Sequence, residues 1–307
     1  RPVRPLIVAL GRLWPKPLRR LVGGYDRWRL VHRTTGIFVA LAVVHALLDG
    51  TPWADAPVLR WSLVLVGGIG VAAYVYRETV ARFFLPLHDY EVAGVQPLSA
   101  DLTEIALRPL GAPLRFRPGQ FAFVFIEAKD GWHRHPFTIA SGPDEREVRF
   151  TVKGLGDYTR RVPRLIEPGM PAVIGGPHGT FSSSAGTERQ VWIAGGVGIA
   201  PFLSWLRSEP PDGTRVDLFY STQGEAPFAD EIAEVATRWP SLRVHVRDTD
   251  RDGRLTPEQV LAAVDGERAD LSVFMCGPAP MLRQFEASFR REGVLRRNVH
   301  REYFDWR

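Results

Sequence analysis

The sequence predicts three parts in a row: a transmembrane helical hairpin, an antiparallel β-barrel and a parallel α/β domain. Two apolar blocks, 36–48 and 61–76, come first. From Tyr90 the pattern changes to short alternating runs divided by Pro and Gly, which is typical of a barrel. Apolar strands then alternate with helical segments, which predicts a parallel sheet. The predicted domains are 1–85, 86–186 and 187–307.

The two apolar blocks are each shorter than the roughly 20 residues that cross a bilayer, so flanking residues must complete the spans. Arginines flank both outer ends, whereas the intervening loop carries Asp49 and Asp55. This asymmetry favours a hairpin with both ends in the cytoplasm. Two buried helices of a soluble domain are the alternative.

The individual elements follow from periodicity. Barrel strands are predicted at 102–107, 121–126, 137–140, 148–152 and 172–174, with a helix after Gly156 and a linker at 182–187. In the α/β domain, strands are predicted at 191–194, 216–220, 244–247 and 272–275, and helices at 201–207, 228–237, 257–264 and 281–290.

Charge and cysteine content restrict the class of protein. The 307 residues carry a formal charge of +5, but no basic run interleaves with aromatics in the predicted soluble part, which argues against nucleic acid. The single cysteine, Cys276, permits no intrachain disulfide.

Two glycine-bearing turns are the first candidate sites. Gly195-Gly196-Val197-Gly198 and Pro201 stand at a predicted strand-to-helix turn, where bare backbone and a helix N-terminus can take a pyrophosphate. Cys276-Gly277-Pro278 follows another strand at the edge where α/β sheets bind ligands. Alone, the glycines indicate only a tight turn, and an unpaired cysteine is by default a small buried apolar residue.

These turns, together with His135-Pro136-Phe137-Thr138 before them and Glu302-x-Phe304 after them, resemble the ferredoxin-reductase superfamily. Within it, the sequence resembles the membrane flavocytochromes of the ferric reductase and NADPH oxidase group. The resemblance implies an FAD-binding barrel, an NAD(P)-binding α/β domain and a partial ferric reductase-like transmembrane domain in 1–85.

For FAD, the resemblance implies that His135, Pro136, Phe137 and Thr138 line the cofactor. The Thr138 hydroxyl can form a hydrogen bond at the N5 edge of the flavin, and the Phe137 ring can stack against the flavin or the ribose. The segment 153–159, whose Gly156 is expected to bind the cofactor, resembles the second FAD segment of the family. In it, Lys153 would supply counter-charge, and the helix opening at Asp157 would supply backbone donors together with the Thr159 hydroxyl. Asp157 would cap a helix there.

For the nicotinamide, the resemblance places Cys276, Gly277 and Pro278 beside the ring, with Cys276 positioning it. Glu302 and Phe304 would border the flavin, and Phe304 would cover it until the nicotinamide docks, with Trp306 as a rival. The expected catalytic residues are therefore Thr138, Cys276 and Phe304.

For metal, the resemblance implies haem b held by His32 and His45. Thirteen residues separate them, about 20 Å along a helix, so each would serve a different haem. We expect helices upstream of Arg1 to supply the partner histidines.

The expected function is electron transfer from cytoplasmic NAD(P)H through FAD and haem to ferric iron or oxygen across the membrane. One alternative is a haem-free, membrane-anchored flavin reductase that donates electrons to a partner protein. Another is a nucleotide-binding redox sensor. Gln223 stands where the family commonly carries an arginine for the 2′-phosphate of NADPH, and Arg247 or Arg254 remain possible substitutes.

Overall fold

The structure is a computed structural model that describes residues 25–48, 56–76, 87–128, 131–156, 158–208 and 213–303. The chain forms two compact units, Arg1–Leu85 and Pro86–Arg307.

In the first unit, two helices pack closely: α1 (Tyr25–Leu48) and α2 (Pro57–Val75). Gly36 lies against the Tyr74 ring, and a Cβ added at Gly67 would come within 2.8 Å of Val43. Small residues at these two points therefore let the helix backbones approach each other.

Among the described helices, α2 alone is long and apolar enough to cross a membrane by length and composition. The apolar part of α1, Gly36–His45, is shorter. The expected hairpin of two spans is therefore supported for one helix only. The physical reason lies in the first turns of α1, which carry Asp26, Arg27 and Arg29.

The second unit begins with an antiparallel six-stranded sheet in the order β4-β3-β6-β1-β2-β5. Its strands are β1 (Leu87–Pro97), β2 (Leu102–Pro109), β3 (Phe121–Ala128), β4 (Gly131–Thr138), β5 (Val148–Lys153) and β6 (Pro171–His178), with the short helix α3 (Val162–Leu165) before β6. A bridge between Ile139 and Phe150 joins the two outer strands. The sheet thus closes into a barrel around side chains such as Phe150, Ile105 and Ile174.

A parallel five-stranded sheet follows in the order β11-β10-β7-β8-β9. Its strands are β7 (Arg189–Gly195), β8 (Arg215–Thr222), β9 (Leu242–Asp248), β10 (Leu271–Gly277) and β11 (Val299–Tyr303). Its helices are α4 (Ala200–Leu206), α5 (Ala229–Arg238), α6 (Thr249–Asp252), α7 (Pro257–Ala263) and α8 (Ala279–Arg291).

The inner strands are buried on both faces, which explains their nearly continuous apolar sequences. On β7, Trp192 and Ala194 join one core cluster, whereas Val191 and Ile193 join the opposite one.

Local sequence signals determine where the helices begin. Thr256 caps α7 by accepting a bond from Gln259 N, while the Gln259 side chain bonds back to Thr256 N.

The structure corrects four details of the predicted elements. The first barrel strand, β1 (Leu87–Pro97), was not among the predicted strands. The helix expected after Gly156 is only the four residues of α3, and it begins at Val162. The strand expected at 137–140 is β4, which ends at Thr138. The edge strand β11 was not predicted, because its sequence Val-His-Arg-Glu-Tyr has no apolar run and becomes a strand only by pairing with β10.

Candidate functional site

The site lies where the strand order of the parallel sheet reverses. The chain runs outward from β7 to β8 and β9, then returns to the other side of β7 with β10 and β11. Open α/β sheets bind ligands in the crevice that such a reversal leaves at the carboxyl ends of the strands. The turns after β7 and β10 both border this crevice.

The glycine turn after β7 is in direct contact with the end of β10. A Cβ at Gly198 would collide with the Cys276 carbonyl, and one at Gly195 would lie 2.9 Å from Pro278. Gly196 adopts a φ of +56°, a backbone conformation that residues other than glycine rarely adopt. The structure thus brings together the two turns that the sequence identified separately, and Gly196 and Val197 at the tip of the glycine turn are partly exposed.

Pro201, the remaining member of this motif, is buried in the first turn of α4. Proline suits this position because its missing N–H would have no partner in the helix. It therefore shapes the start of the helix that follows the glycine turn.

The barrel contributes an aromatic stack along β4 and the loop after β5. The His135 ring stacks on Tyr158 at 4.4 Å and on Phe137 at 5.9 Å, and Phe137 contacts Phe150. Thr138 ends the strand and is only 4% exposed. Pro136 lies between His135 and Phe137 in β4 and pairs with Phe123 of β3. The predicted flavin segment is therefore held in place by ring contacts, and Tyr158 is a member that the sequence did not single out.

Lys153, in the second FAD segment (153–159), lies beside the glycine turn. Its ammonium lies 3.7 Å from the position that a Cβ on Gly196 would occupy, and it forms a 3.2 Å ion pair with Asp101. Because this pair is partly exposed, it is weak and can exchange for a phosphate. The residue predicted to supply counter-charge thus stands between the two predicted binding segments.

Thr159 closes the loop that follows β5. Its hydroxyl accepts hydrogen bonds from Leu155 N at 3.1 Å and Gly156 N at 3.0 Å. These bonds close the loop, and the contact of the Thr159 hydroxyl with FAD stays a prediction. Within the described part of this loop, Lys153 therefore remains as the charged candidate ligand.

Cys276 and Glu302 are partners across β10 and β11. Burial, followed by the nearby Glu302 carboxylate, raises the pKa of the Cys276 thiol, so it stays protonated and is a poor nucleophile. Burial also raises the pKa of Glu302 to about 7. Within the described residues, the buried Glu302 Oε2 has no hydrogen-bond partner. A carboxyl group with a near-neutral pKa beside the crevice is a candidate proton carrier.

A buried arginine joins the barrel to the α/β domain. The guanidinium of Arg207 donates two hydrogen bonds to Glu231, of 2.6 and 2.8 Å, and one of 3.0 Å to the Ala140 carbonyl. It also lies 3.5 Å from Glu104 of β2. Ala140 comes two residues after Thr138, so this network fixes the end of the flavin segment. We call Arg207, Glu231, Glu104 and the Ala140 carbonyl the Arg207 clamp.

The clamp was not predicted, because its members are far apart in the sequence and no local pattern marks them. A second bond beside it, 2.7 Å from the Ser204 hydroxyl to the Ser141 carbonyl, reinforces the same junction.

Several predicted site residues lie outside the described part of the chain: Phe304, Trp306, Asp157 and the side chain of His32. His45 is exposed in the last turn of α1, on the same continuous helix as His32. Among the described residues, no cluster of three or more His, Cys, Asp or Glu side chains forms a metal site. The role of the histidines as haem ligands stays a prediction.

Comparison with known proteins defines the class of both domains. Residues 87–174 match the FAD-binding domain family, and residues 192–287 match the oxidoreductase NAD-binding domain family. The glycine cradle and the counter-charge of Lys153 fit these two nucleotide ligands. The chain therefore carries the FAD-binding and NAD-binding domains of the ferredoxin–NADP reductase superfamily. This pair of domains is that of an NAD(P)H-dependent flavin oxidoreductase, and the chain spans less than two thirds of the length of the first relative it matches.

Individual relatives differ in what surrounds these domains. The chain is 29% identical over 218 residues to the reductase component of propane 2-monooxygenase from Mycolicibacterium smegmatis, covering 64% of this chain and 62% of that relative. Mouse NADPH oxidase 1 is 29% identical over 161 residues, 51% of this chain and 26% of that relative. The FAD/NAD-binding domain of a Vibrio cholerae nitric oxide dioxygenase has the same fold, with a TM-score of 0.61, 23% identity and coverage of 71% of this chain and 98% of that one.

The raised pKa of Glu302 predicts a pH-dependent stability. The folded protein holds this proton more tightly than the unfolded chain, whose carboxyl has its ordinary pKa of 4.5. Glu302 should therefore lower the free energy of unfolding as pH rises from 4.5 to about 7, with little further change above. Urea unfolding of the wild type and Glu302→Gln across this range measures the effect as the difference between the two curves.

The exposed Glu292→Gln at the end of α8 is the matched control and should give a curve parallel to the wild type. A wild-type curve parallel to that of Glu302→Gln would show that Glu302 titrates at its ordinary pKa.

The Arg207 clamp predicts a kinetic effect. Arg207→Lys keeps the charge but cannot bond Glu231 and Ala140 in the same planar geometry. We expect flavin reduction by NAD(P)H to slow by about tenfold or more, because misalignment of the reacting groups is costly. FAD should remain bound. Anaerobic stopped-flow absorbance measures the rate.

Arg238→Lys is the matched control, since Arg238 forms an exposed ion pair with Glu234 within α5. Its rate should equal that of the wild type. If Arg207→Lys also reduced flavin at the wild-type rate, the clamp would be a purely structural contact.

Proposed function

We propose that this protein is a membrane-anchored reductase that takes electrons from NAD(P)H and passes them through FAD to a separate acceptor protein. The observation that carries the proposal is the closeness of Lys153, from the second FAD segment (153–159), to Gly196 at the reversal point of the parallel sheet. The two predicted nucleotide-binding segments therefore share one crevice within one compact unit.

Bound FAD would supply the conversion of a two-electron hydride donor into a one-electron donor. The protein's own residues would bind the cofactor and orient the nicotinamide. Phe137 and His135 present an aromatic surface, and Thr138 ends the strand at the crevice. Cys276, fully buried and protonated, gives the nicotinamide a neutral wall. Glu302, with its pKa near 7, holds or releases a proton beside that wall.

The separate acceptor is proposed from the kind of relatives that match. The Mycolicibacterium smegmatis relative is the reductase component of a propane 2-monooxygenase, and it matches over most of the FAD and NAD domains. Such a component works with other proteins, whereas the match to mouse NADPH oxidase 1 covers a quarter of that protein. An acceptor protein therefore explains the matched region better than a haem-borne path to oxygen or ferric iron.

Membrane attachment is proposed from the surface of the first unit. Large apolar side chains of both helices are exposed, including Phe38 and Trp61, each 68% accessible. Water would solvate this surface poorly, and a bilayer would cover it. Because arginines flank the outer ends of the two helices, we place the flavin and nicotinamide domains in the cytoplasm.

A transmembrane flavocytochrome is the second candidate, and one observation favours it. His45 stands in an otherwise apolar part of α1, and an ionisable residue in such a segment is a functional candidate. In this version haem b, with His32 and His45 as ligands from this helix, would carry the electrons to ferric iron or oxygen.

The test uses the full chain purified in detergent under anaerobic conditions. NADH or NADPH should bleach the flavin absorbance, ferricyanide should restore it, and the spectrum should show no haem Soret band. His45→Ala should leave both properties unchanged. Phe38→Ala, at an exposed apolar position on the same helix, is the matched control for the effect of a substitution in α1.

A Soret band that His45→Ala removes, with NAD(P)H-to-FAD transfer intact, would establish the flavocytochrome instead. Failure of both nucleotides to reduce the bound flavin would refute both versions. It would leave a nucleotide-binding sensor as the remaining function.

A further inference from the structure

The choice between NADH and NADPH is decided at the carboxyl ends of β8 and β9. In register, Gly195 of β7 pairs with Ser221 of β8, which pairs with Arg247 of β9. A dinucleotide with its pyrophosphate on the glycine turn would extend its adenosine half along this edge, since the crevice outside the strand ends runs in that direction. The 2′ position of the adenosine ribose would then meet the loops that follow β8 and β9.

Arg247, a cation at this edge, is already engaged. Its Nε donates a 2.8 Å hydrogen bond to the Gly253 carbonyl, and its Nη2 donates to the Asp252 carbonyl. These bonds hold the turn formed by α6. A 2′-phosphate would have to break them before Arg247 could form a bidentate pair with it.

Asp248, the next residue, places a fixed carboxylate at the same edge. Its Oδ1 accepts hydrogen bonds from Gly224 N at 2.9 Å and from Asp250 N at 3.0 Å, so it joins the loops after β8 and β9. Among the described residues, nothing donates a hydrogen bond to its Oδ2. A ribose 2′-hydroxyl can donate to a carboxylate, whereas a 2′-phosphate is repelled by it.

The other charges nearby do not reverse this preference. Arg251 is paired with Asp252 at 2.8 Å, and Glu225 and Asp250 add negative charge. Arg254 is the remaining cation, but its side chain is exposed, so salt screens its attraction for a phosphate. Gln223, at the end of β8, adds no charge.

We propose that NADH is the electron donor of this protein and that Asp248 excludes NADPH by binding the 2′-hydroxyl of the adenosine ribose and repelling a 2′-phosphate. This inference rests on the proposed function and deepens it by naming the nucleotide.

The binding test compares ADP-ribose with 2′-phospho-ADP-ribose, two non-reducing probes, by titration calorimetry on the full FAD-loaded protein. The wild type should bind ADP-ribose more tightly by about tenfold or more. Asp248→Asn keeps Oδ1 as the acceptor for Gly224 N and Asp250 N but removes the charge. It should reduce the preference by about tenfold, chiefly by tightening the phosphorylated probe.

Asp250→Asn is the matched control, because it removes an exposed charge two residues away, and it should change the preference much less than Asp248→Asn does. Arg254→Ala should leave the preference for ADP-ribose in place. The melting temperature of each variant, measured in parallel, shows whether the loops remain folded.

Stopped-flow reduction separates the failure of this inference from the failure of the proposed function. NADH should reduce the flavin rapidly and NADPH slowly. The variant Asp248→Asn should increase the rate of flavin reduction by NADPH. Equal or better reduction by NADPH in the wild type, lost in Arg254→Ala, would overturn the inference and assign the 2′-phosphate to Arg254. No reduction by either nucleotide would instead overturn the proposed function.

Discussion

The Arg207 clamp is the interaction on which the site depends, because the two binding segments belong to different domains. The flavin segment ends β4 of the barrel, whereas the glycine turn follows β7 of the parallel sheet. Arg207 is 8% exposed and bonds to both sides of the junction. Removing one partner of a buried ion pair leaves an uncompensated charge, which costs more than the intact pair contributes. The domains therefore have one preferred alignment, and the crevice keeps its shape.

Within that alignment, burial sets the chemistry of the ionisable groups. The same apolar surroundings that complete the sheet keep the Cys276 thiol protonated and bring the Glu302 carboxyl to a pKa of about 7. The charged groups stand at the edges: Lys153 by the glycine turn and Asp248 at the end of β9. A neutral wall with charged ends suits a dinucleotide, whose nicotinamide is flat and whose pyrophosphate and ribose are polar.

The soluble architecture could be predicted because its signals are local. Alternation gave β2, β3, β5 and β6 of the barrel but not β1, which was not predicted. Apolar runs separated by amphipathic segments gave the strands β7 to β10 and most helices of the α/β domain. The same holds for the glycine turn and the Cys276 turn, which were each identified by their own residues. β11 was missed because an edge strand with a polar sequence has no such signal. The second span was expected because flanking residues were to complete the block 36–48, but the residues before it in α1 include Asp26, Arg27 and Arg29, and among the described helices only α2 is long and apolar enough.

By itself, the sequence determined that a barrel precedes a parallel sheet, and it predicted which residues border a flavin and a nicotinamide. Only the tertiary structure placed Gly198 against the Cys276 carbonyl and Lys153 beside Gly196. It also decided which charged side chains are already engaged. Arg247 and Arg254 were equivalent cations in the sequence, but the turn after β9 uses Arg247 internally and leaves Asp248 at the edge. Such differences depend on hydrogen bonds between segments distant in the chain, and no local pattern encodes them.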